Sequence, residues 1–184
     1  MTAKKSGTGT TDMQTLITCS VRHPNDFLKS IVDRLTPNSR VLCLADGEGR
    51  NGVYLATQGH KVTAVDQSRV GLEKANKLTE QKQVSIKTVN ADLAEYDLGI
   101  ESWDCIVSIF FHIPSAVRAH IYPRIITALK PGCALILESY TPEQLNHGTG
   151  GPRISDLMLT KNELAQHFSQ MHIEHLQELE REVI

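Results

Sequence analysis

Five short apolar runs, most of them separated by helix-length amphipathic stretches, constrain this chain more than any other feature. The runs are Val41–Ala45, Val62–Val65, Val84–Val89, Cys105–Phe111 and Cys133–Leu137. Short buried strands alternating with helices predict a parallel sheet with right-handed crossovers and helices on both faces. The expected fold is therefore α/β: a three-layer, doubly wound, mostly parallel sheet.

Local signals place the helices. In PNDFLKSIVDRL, Asn25 or Asp26 is the cap and Phe27, Ile31 and Leu35 recur on one face. Gly59 closes the helix after the first strand, and Ser68 caps a second that carries Leu72, Ala75 and Leu78. Ser115 to Leu129 fits a crossover helix that Pro123 should kink or split. Thr160 and Glu163 form a capping-box pattern. Met171 to Ile184 is expected to be a final strand. Residues 1–23, rich in Gly, Thr, Ser and Lys, are expected to be a flexible leading segment, with one domain over 24–184.

Composition excludes several classes. A net charge of -2 gives no basic field for nucleic acid as a whole, and no apolar run is long enough for a membrane span. MTAKKSGTGTTDMQ lacks the apolar core of a secretory signal. Cys19, Cys43, Cys105 and Cys133 form no CxxC pair, so buried thiols in a reducing, cytoplasmic setting are expected. No G-x-S-x-G elbow marks a hydrolase. His167, His172 and His175 superficially resemble ligand spacing, but His172 and His175 would point to opposite faces of a strand, so no metal is expected.

The first run leads into Ala45-Asp46-Gly47-Glu48-Gly49-Arg50-Asn51-Gly52 and then a helix; Asp66, followed by Gln67, closes the second run. Glycine permits the tight turn and the close approach of a ligand. An acid ending the second strand can accept hydrogen bonds from both hydroxyls of a ribose. A pyrophosphate would meet Asp46 and Glu48; like charges about 5 Å apart cost roughly 3 kcal/mol at an effective dielectric near 20. The sulfonium and ammonium of S-adenosyl-L-methionine would instead be attracted. Loop charge therefore favours the methyl donor over NAD(P), although Arg50 offsets part of that bias.

The segments VLCLADGEGRNGVYLATQGHKVTAVDQS, VNADL, WDCIVSIFFHIP, ALKPGCALILESYTPEQL and GTGGP, with PNDFL before them, resemble the class I S-adenosylmethionine-dependent methyltransferases. Within these they are similar to the small-molecule branch of tellurite-resistance-like and thiol methyltransferases. The resemblance implies methyl transfer to a thiol, amine or metalloid anion by in-line displacement, leaving S-adenosyl-L-homocysteine. It implies that Gly47 and Gly49 pack under the methionine part of the cofactor, within a loop that includes Asp46, Glu48 and Asn51. Asp66 would hold the ribose, and Ala91, Asp92 and Leu93 would border the adenine. Ser108 to His112 would line the transfer site, with His112 as base or substrate contact. Tyr140, Thr141 and the Asn146–Arg153 loop, which includes His147, would form a rim.

The chain departs from that family at Cys43 and Ala45, where an acid and a glycine are usual, and at Asp46, where a cysteine or glutamate is more common. The family's closing hairpin is represented only by its expected first arm, so the last antiparallel strand is expected to be missing and a homodimer could cover the edge. The rival readings are a binding protein that keeps the fold without turnover and an NAD(P)-dependent oxidoreductase.

Overall fold

The computed structural model describes residues 23–147 and 150–180. The expectation of a flexible leading segment therefore falls almost wholly outside the described residues.

Five strands form one all-parallel sheet: β1 (Arg40–Leu44), β2 (Lys61–Asp66), β3 (Lys87–Asn90), β4 (Trp103–Ile109) and β5 (Leu129–Glu138). Their order is β3-β2-β1-β4-β5. The chain winds outward from β1 to β3, then crosses back to place β4 on the other side of β1. That reversal opens a crevice at the carboxyl ends of β1 and β4, where ligands of doubly wound sheets bind.

The helices are α1 (Asp26–Ile31), α2 (Arg50–Thr57), α3 (Arg69–Lys82), α4 (Ser115–Ala128) and α5 (Lys161–His167). Alternate residues of the strands feed two cores, as the pleat requires. Val41, Cys43, Cys105 and Val107 pack with Leu28, Val32 and Leu55 from α1, its 3-10 extension and α2. Leu42, Leu44 and Ile106 pack with Ile121, Tyr122 and Ile125 of α4 and with Phe168 after α5. Burial on both faces explains why the runs of β1, β2 and β4 are almost continuously apolar, whereas the edge strands β3 and β5 are only partly buried.

Several boundaries move for identifiable reasons. Asn25 caps α1 by accepting from Leu28 N at 3.0 Å, but its fully buried face is Leu28 and Val32 rather than Phe27, Ile31 and Leu35. The third strand starts only at Lys87, because Gln83 turns left-handed (φ 55°) and Val84 N donates to Thr79 O at 3.1 Å, closing α3. Helix α4 passes through Pro123 without being split. Ile121, Tyr122, Ile125 and Ala128 are buried on either side of the proline, and that packing holds the helix together despite the lost backbone donor. The capping box of α5 forms as expected, with Thr160 Oγ1 accepting from Glu163 N and Glu163 accepting from Thr160 N at 2.8 Å.

The expected final strand is not formed. Residues 171–180 run without strand structure, and 181–184 lie outside the described residues. Among the described residues no strand pairs with this segment, and side chains tether it instead. Glu174 pairs with Arg34, His175 stacks on Phe27 at 5.6 Å, and Glu178 accepts from Lys161 N at 2.7 Å at the start of α5. No described helix is long and apolar enough to cross a membrane.

Candidate functional site

The glycine loop runs from β1 to α2 and is built by backbone geometry that only glycine adopts freely. Gly47 and Gly49 have φ of 57° and 83°. A Cβ on Gly49 would stand 2.6 Å from that of Ala75, so glycine is what lets α3 pack against the loop. A Cβ on Gly47 would meet nothing within 4 Å, which leaves open room above the turn for a ligand. Ala45, where glycine is usual in the resembled family, also has positive φ (50°).

Asp66 organises this loop. One carboxylate oxygen accepts from Gly47 N at 2.8 Å and the other from Ser68 N at 2.7 Å. The carboxylate is largely buried. Each oxygen retains capacity for a further bond, so the pair fits two ribose hydroxyls. Gln67 is exposed beside it, and its carbonyl accepts from Asn90 Nδ2 at 2.9 Å. Ala91, Asp92 and Leu93 follow β3 directly; Ala91 N donates to Asp66 O, and Asp92 turns the chain by accepting from Ala94 N at 2.9 Å. Asp92 is exposed and Leu93 is buried in the core.

The loop's charge differs from what sequence suggests. Asp46 lies beneath the loop, 9% exposed, and both of its oxygens accept from Gly52 N at the start of α2, at 3.2 and 3.1 Å. Burial pushes its carboxyl up to about 7; the Gly52 bond opposes that rise and the nearby Asp66 charge adds to it. Glu48 pairs with Lys74 of α3 at 2.5 Å. Two free carboxylates therefore do not line the loop, and the charge preference for a cationic cofactor is weaker than the sequence implies. Asn51 is buried and accepts from Asn25 N at 2.9 Å, so its Oδ1 ties α1 to the loop.

Across the crevice, Ser108 is buried in β4 between Leu44 and Leu137. The strand ends where Phe110 adopts φ 55°, a strained value for a bulky residue. Positive φ at Ala45 and Phe110, on the carboxyl ends of adjacent strands, concentrates backbone strain at the switch point. Phe110, His112 and Tyr140 form an aromatic stack, with Tyr140 4.8 Å from Phe110 and 5.6 Å from His112. The Arg50 guanidinium lies 5.9 Å from the Phe110 ring centre. Adjacent residues face opposite sides: Phe110 is in the stack and Phe111 packs against the α4 core.

Burial holds the His112 imidazole below the ordinary histidine value, opposed by a hydrogen bond to the Leu157 backbone. Its Nδ1 is buried without a partner. Leu157 is held close by Arg118, a buried cation of α4 that donates to Ile113 O at 2.7 Å and Asp156 O at 2.6 Å. Sequence reasoning missed Arg118 and the Arg50–Phe110 contact. An arginine in the middle of an otherwise apolar helix face was the available signal for the first.

Of the rim residues, Gly150 and Gly151 lie against Tyr140, and a Cβ on Gly151 would stand 3.0 Å from its ring. Gly148 and Thr149 lie outside the described residues. His147 faces Glu180 at 3.9 Å. His167 meets Tyr122 edge-on, whereas His175 stacks on Phe27.

Comparison with known proteins gives a consistent relationship. A family model described as a methyltransferase domain matches residues 41–132. The chain is 28% identical over 117 residues to a tRNA (uracil(54)-C(5))-methyltransferase of Pyrococcus furiosus, covering 58% of this chain and 26% of that protein. It is 28% identical over 101 residues to an uncharacterized methyltransferase, YodH, of Bacillus subtilis, covering 53% and 43%. The chain thus spans less than half the length of these curated relatives. In structure it is similar to TehB of Haemophilus influenzae, with a TM-score of 0.67 at 21% identity, covering 79% of this chain and 50% of that one. A SAM-dependent methyltransferase of Methanosarcina mazei gives 0.64 at 18% identity, covering 77% and 82%. At these identities the structural likeness establishes the fold.

Proposed function

This chain belongs to the methyltransferase domain family, and from that premise we propose that it transfers a methyl group from S-adenosyl-L-methionine to a small soluble acceptor carrying a thiol, amine or metalloid nucleophile. The observation that carries the reading is a juxtaposition. The open glycine turn with its Asp66 anchor and the Phe110–His112–Tyr140 stack stand at the carboxyl ends of neighbouring strands.

When bound, S-adenosyl-L-methionine supplies a methyl carbon activated by its sulfonium. Gly47 leaves room for the methionine portion, Asp66 accepts from the ribose hydroxyls, and Ala91 to Leu93 border the adenine. The protein's remaining task is to align a nucleophile and exclude water. Phe110 and Tyr140 supply apolar walls for a small acceptor. His112, neutral at pH 7 because burial lowers its proton affinity, is able to take the proton that a thiol or ammonium gives up. Arg118 acts at one remove, holding Leu157 against the imidazole.

Incubation with methyl-labelled S-adenosylmethionine and panels of thiols, amines and metalloid oxyanions tests the proposal. Label is expected in at least one small product. Label found only in added RNA would replace it with the activity that the name of the Pyrococcus relatives carries.

A further inference from the structure

The amino ends of the strands, opposite the glycine loop, hold a second feature. Arg40 opens β1 and lies in register with Lys61, which opens β2. Thr63, two residues along from Lys61, is in register with Lys87, which opens β3. In-register pairs on neighbouring strands share a face, as do residues two apart on one strand. Three cations are therefore set side by side on one face of the sheet. Like charges in register repel, and none of the three side chains makes an ion pair among the described residues. The Asp104 carboxylate feels the Arg40 charge, but its oxygens are taken by Lys130 at 2.5 Å and by Arg40 N at 2.7 Å.

These residues line a cleft of about 350 Å³ together with His60 and Trp103. The Arg40 guanidinium is fixed over the Trp103 ring at 5.4 Å, and the indole Nε1 donates to Leu98 O at 2.7 Å. His60 is 8% exposed and its Nδ1 has no hydrogen-bond partner, so the wall of the cleft holds an unmet polar group. Three cations without an ion pair among the described residues meet in one concavity, with Arg40 packed over an aromatic ring and the unpartnered His60 nitrogen buried in the wall behind them.

We infer that this cleft is a phosphate-binding site, in which Arg40, Lys61 and Lys87 neutralise a phosphate-bearing anion at the opposite end of the sheet from the methyl-transfer crevice. An anion there relieves the repulsion among the three cations, and a planar guanidinium held by Trp103 presents its donors in the fork that phosphate oxygens accept. A small free anion and a nucleic-acid backbone both carry that phosphate.

Trp103 is the only tryptophan in the chain, so all tryptophan emission comes from a residue that lines this cleft. The experiment titrates the full chain with inorganic pyrophosphate and, separately, with a short oligouridylate, each against sodium chloride at matched ionic strength. A saturable fluorescence change with either ligand is expected, with affinity reduced at least tenfold in a Lys61→Glu/Lys87→Glu variant. Calorimetric binding of S-adenosylhomocysteine to the same variant checks that it is folded; should it misfold, Lys61→Gln carries the comparison, with a smaller loss expected. Oligouridylate binding at least tenfold tighter than pyrophosphate assigns the phosphate to nucleic acid, and the reverse assigns it to a free anion. Absence of a saturable change with both ligands, a change that sodium chloride reproduces, or undiminished affinity in the folded variant overturns the inference.

Discussion

Replacing Asp46 with Asn should change the pH dependence of stability in a way that only a buried, destabilised carboxylate explains. Burial raises the Asp46 carboxyl from 3.8 to about 7 in the folded chain. A raised folded value for an acid means that the unfolded state releases its proton first as pH rises. Stability contributed by this group is therefore complete below about pH 4, falls as pH climbs from 4 towards 7, and is flat above that. At about 1.36 kcal/mol per unit, the full loss is about 4 kcal/mol, of which about 2–3 kcal/mol falls between pH 5 and pH 8. Asparagine keeps an oxygen to accept from Gly52 N but buries an amide donor without a known acceptor, at about 1–3 kcal/mol. Asp46→Asn should thus be less stable than the parent near pH 4 and more stable, by about 1–3 kcal/mol, at pH 8. Urea unfolding followed by Trp103 fluorescence, repeated from pH 4 to pH 8.5, measures the difference directly. A variant whose stability runs parallel to the parent across that range would refute the reasoning. Asp46 would then be an ordinary hydrated carboxylate rather than one trapped beneath the loop.

Three further outcomes follow from the same geometry. Gly49→Ala places a methyl 2.6 Å from Ala75 Cβ at a φ of 83°, and should destabilise the chain by about 1–3 kcal/mol in thermal unfolding; an unchanged melting temperature would mean that α3 does not pack on the loop as described. Asp66→Ala should weaken S-adenosylhomocysteine binding by about 1.5–3 kcal/mol by calorimetry, since hydrogen bonds to a charged group are lost; equal affinity would remove Asp66 from the ribose site. With a thiol or amine acceptor, the parent rate should rise with pH through a value below 6.5 and level off at neutrality, and His112→Gln should abolish that step while lowering kcat about 10²- to 10⁴-fold. Persistence of the same inflection in the variant would assign it to another group.

What the sequence made legible is what depends on local chemistry and pattern. Apolar runs marked all five strands, most clearly β1, β2 and β4, where both faces are buried. Ser68, Asn25 and the Thr160–Glu163 pair each cap the helix expected of them, since capping is decided within four residues. The position of Asp66 opposite Gly47 was likewise implied by the strand-loop-helix pattern. Long-range facts were not legible. Whether Glu48 is free depends on Lys74, a full helix away, and whether Asp46 is charged depends on burial. The tail from Met171 was expected to be a strand, but among the described residues no strand pairs with it, and a ladder requires two strands. Which of Phe110 and Phe111 faces the crevice was not legible either, because the positive φ at Phe110 reorients the chain just where strand alternation would be extrapolated.

The central claim is that the glycine loop and Asp66 hold S-adenosylmethionine. Calorimetric titration of the purified chain with S-adenosylmethionine and S-adenosylhomocysteine, with NADH and NADPH as controls, tests it most directly. The account predicts saturable binding of both sulfur cofactors and none of the dinucleotides. A chain shown to be folded that binds neither sulfur cofactor, or that binds the dinucleotides instead, would contradict it.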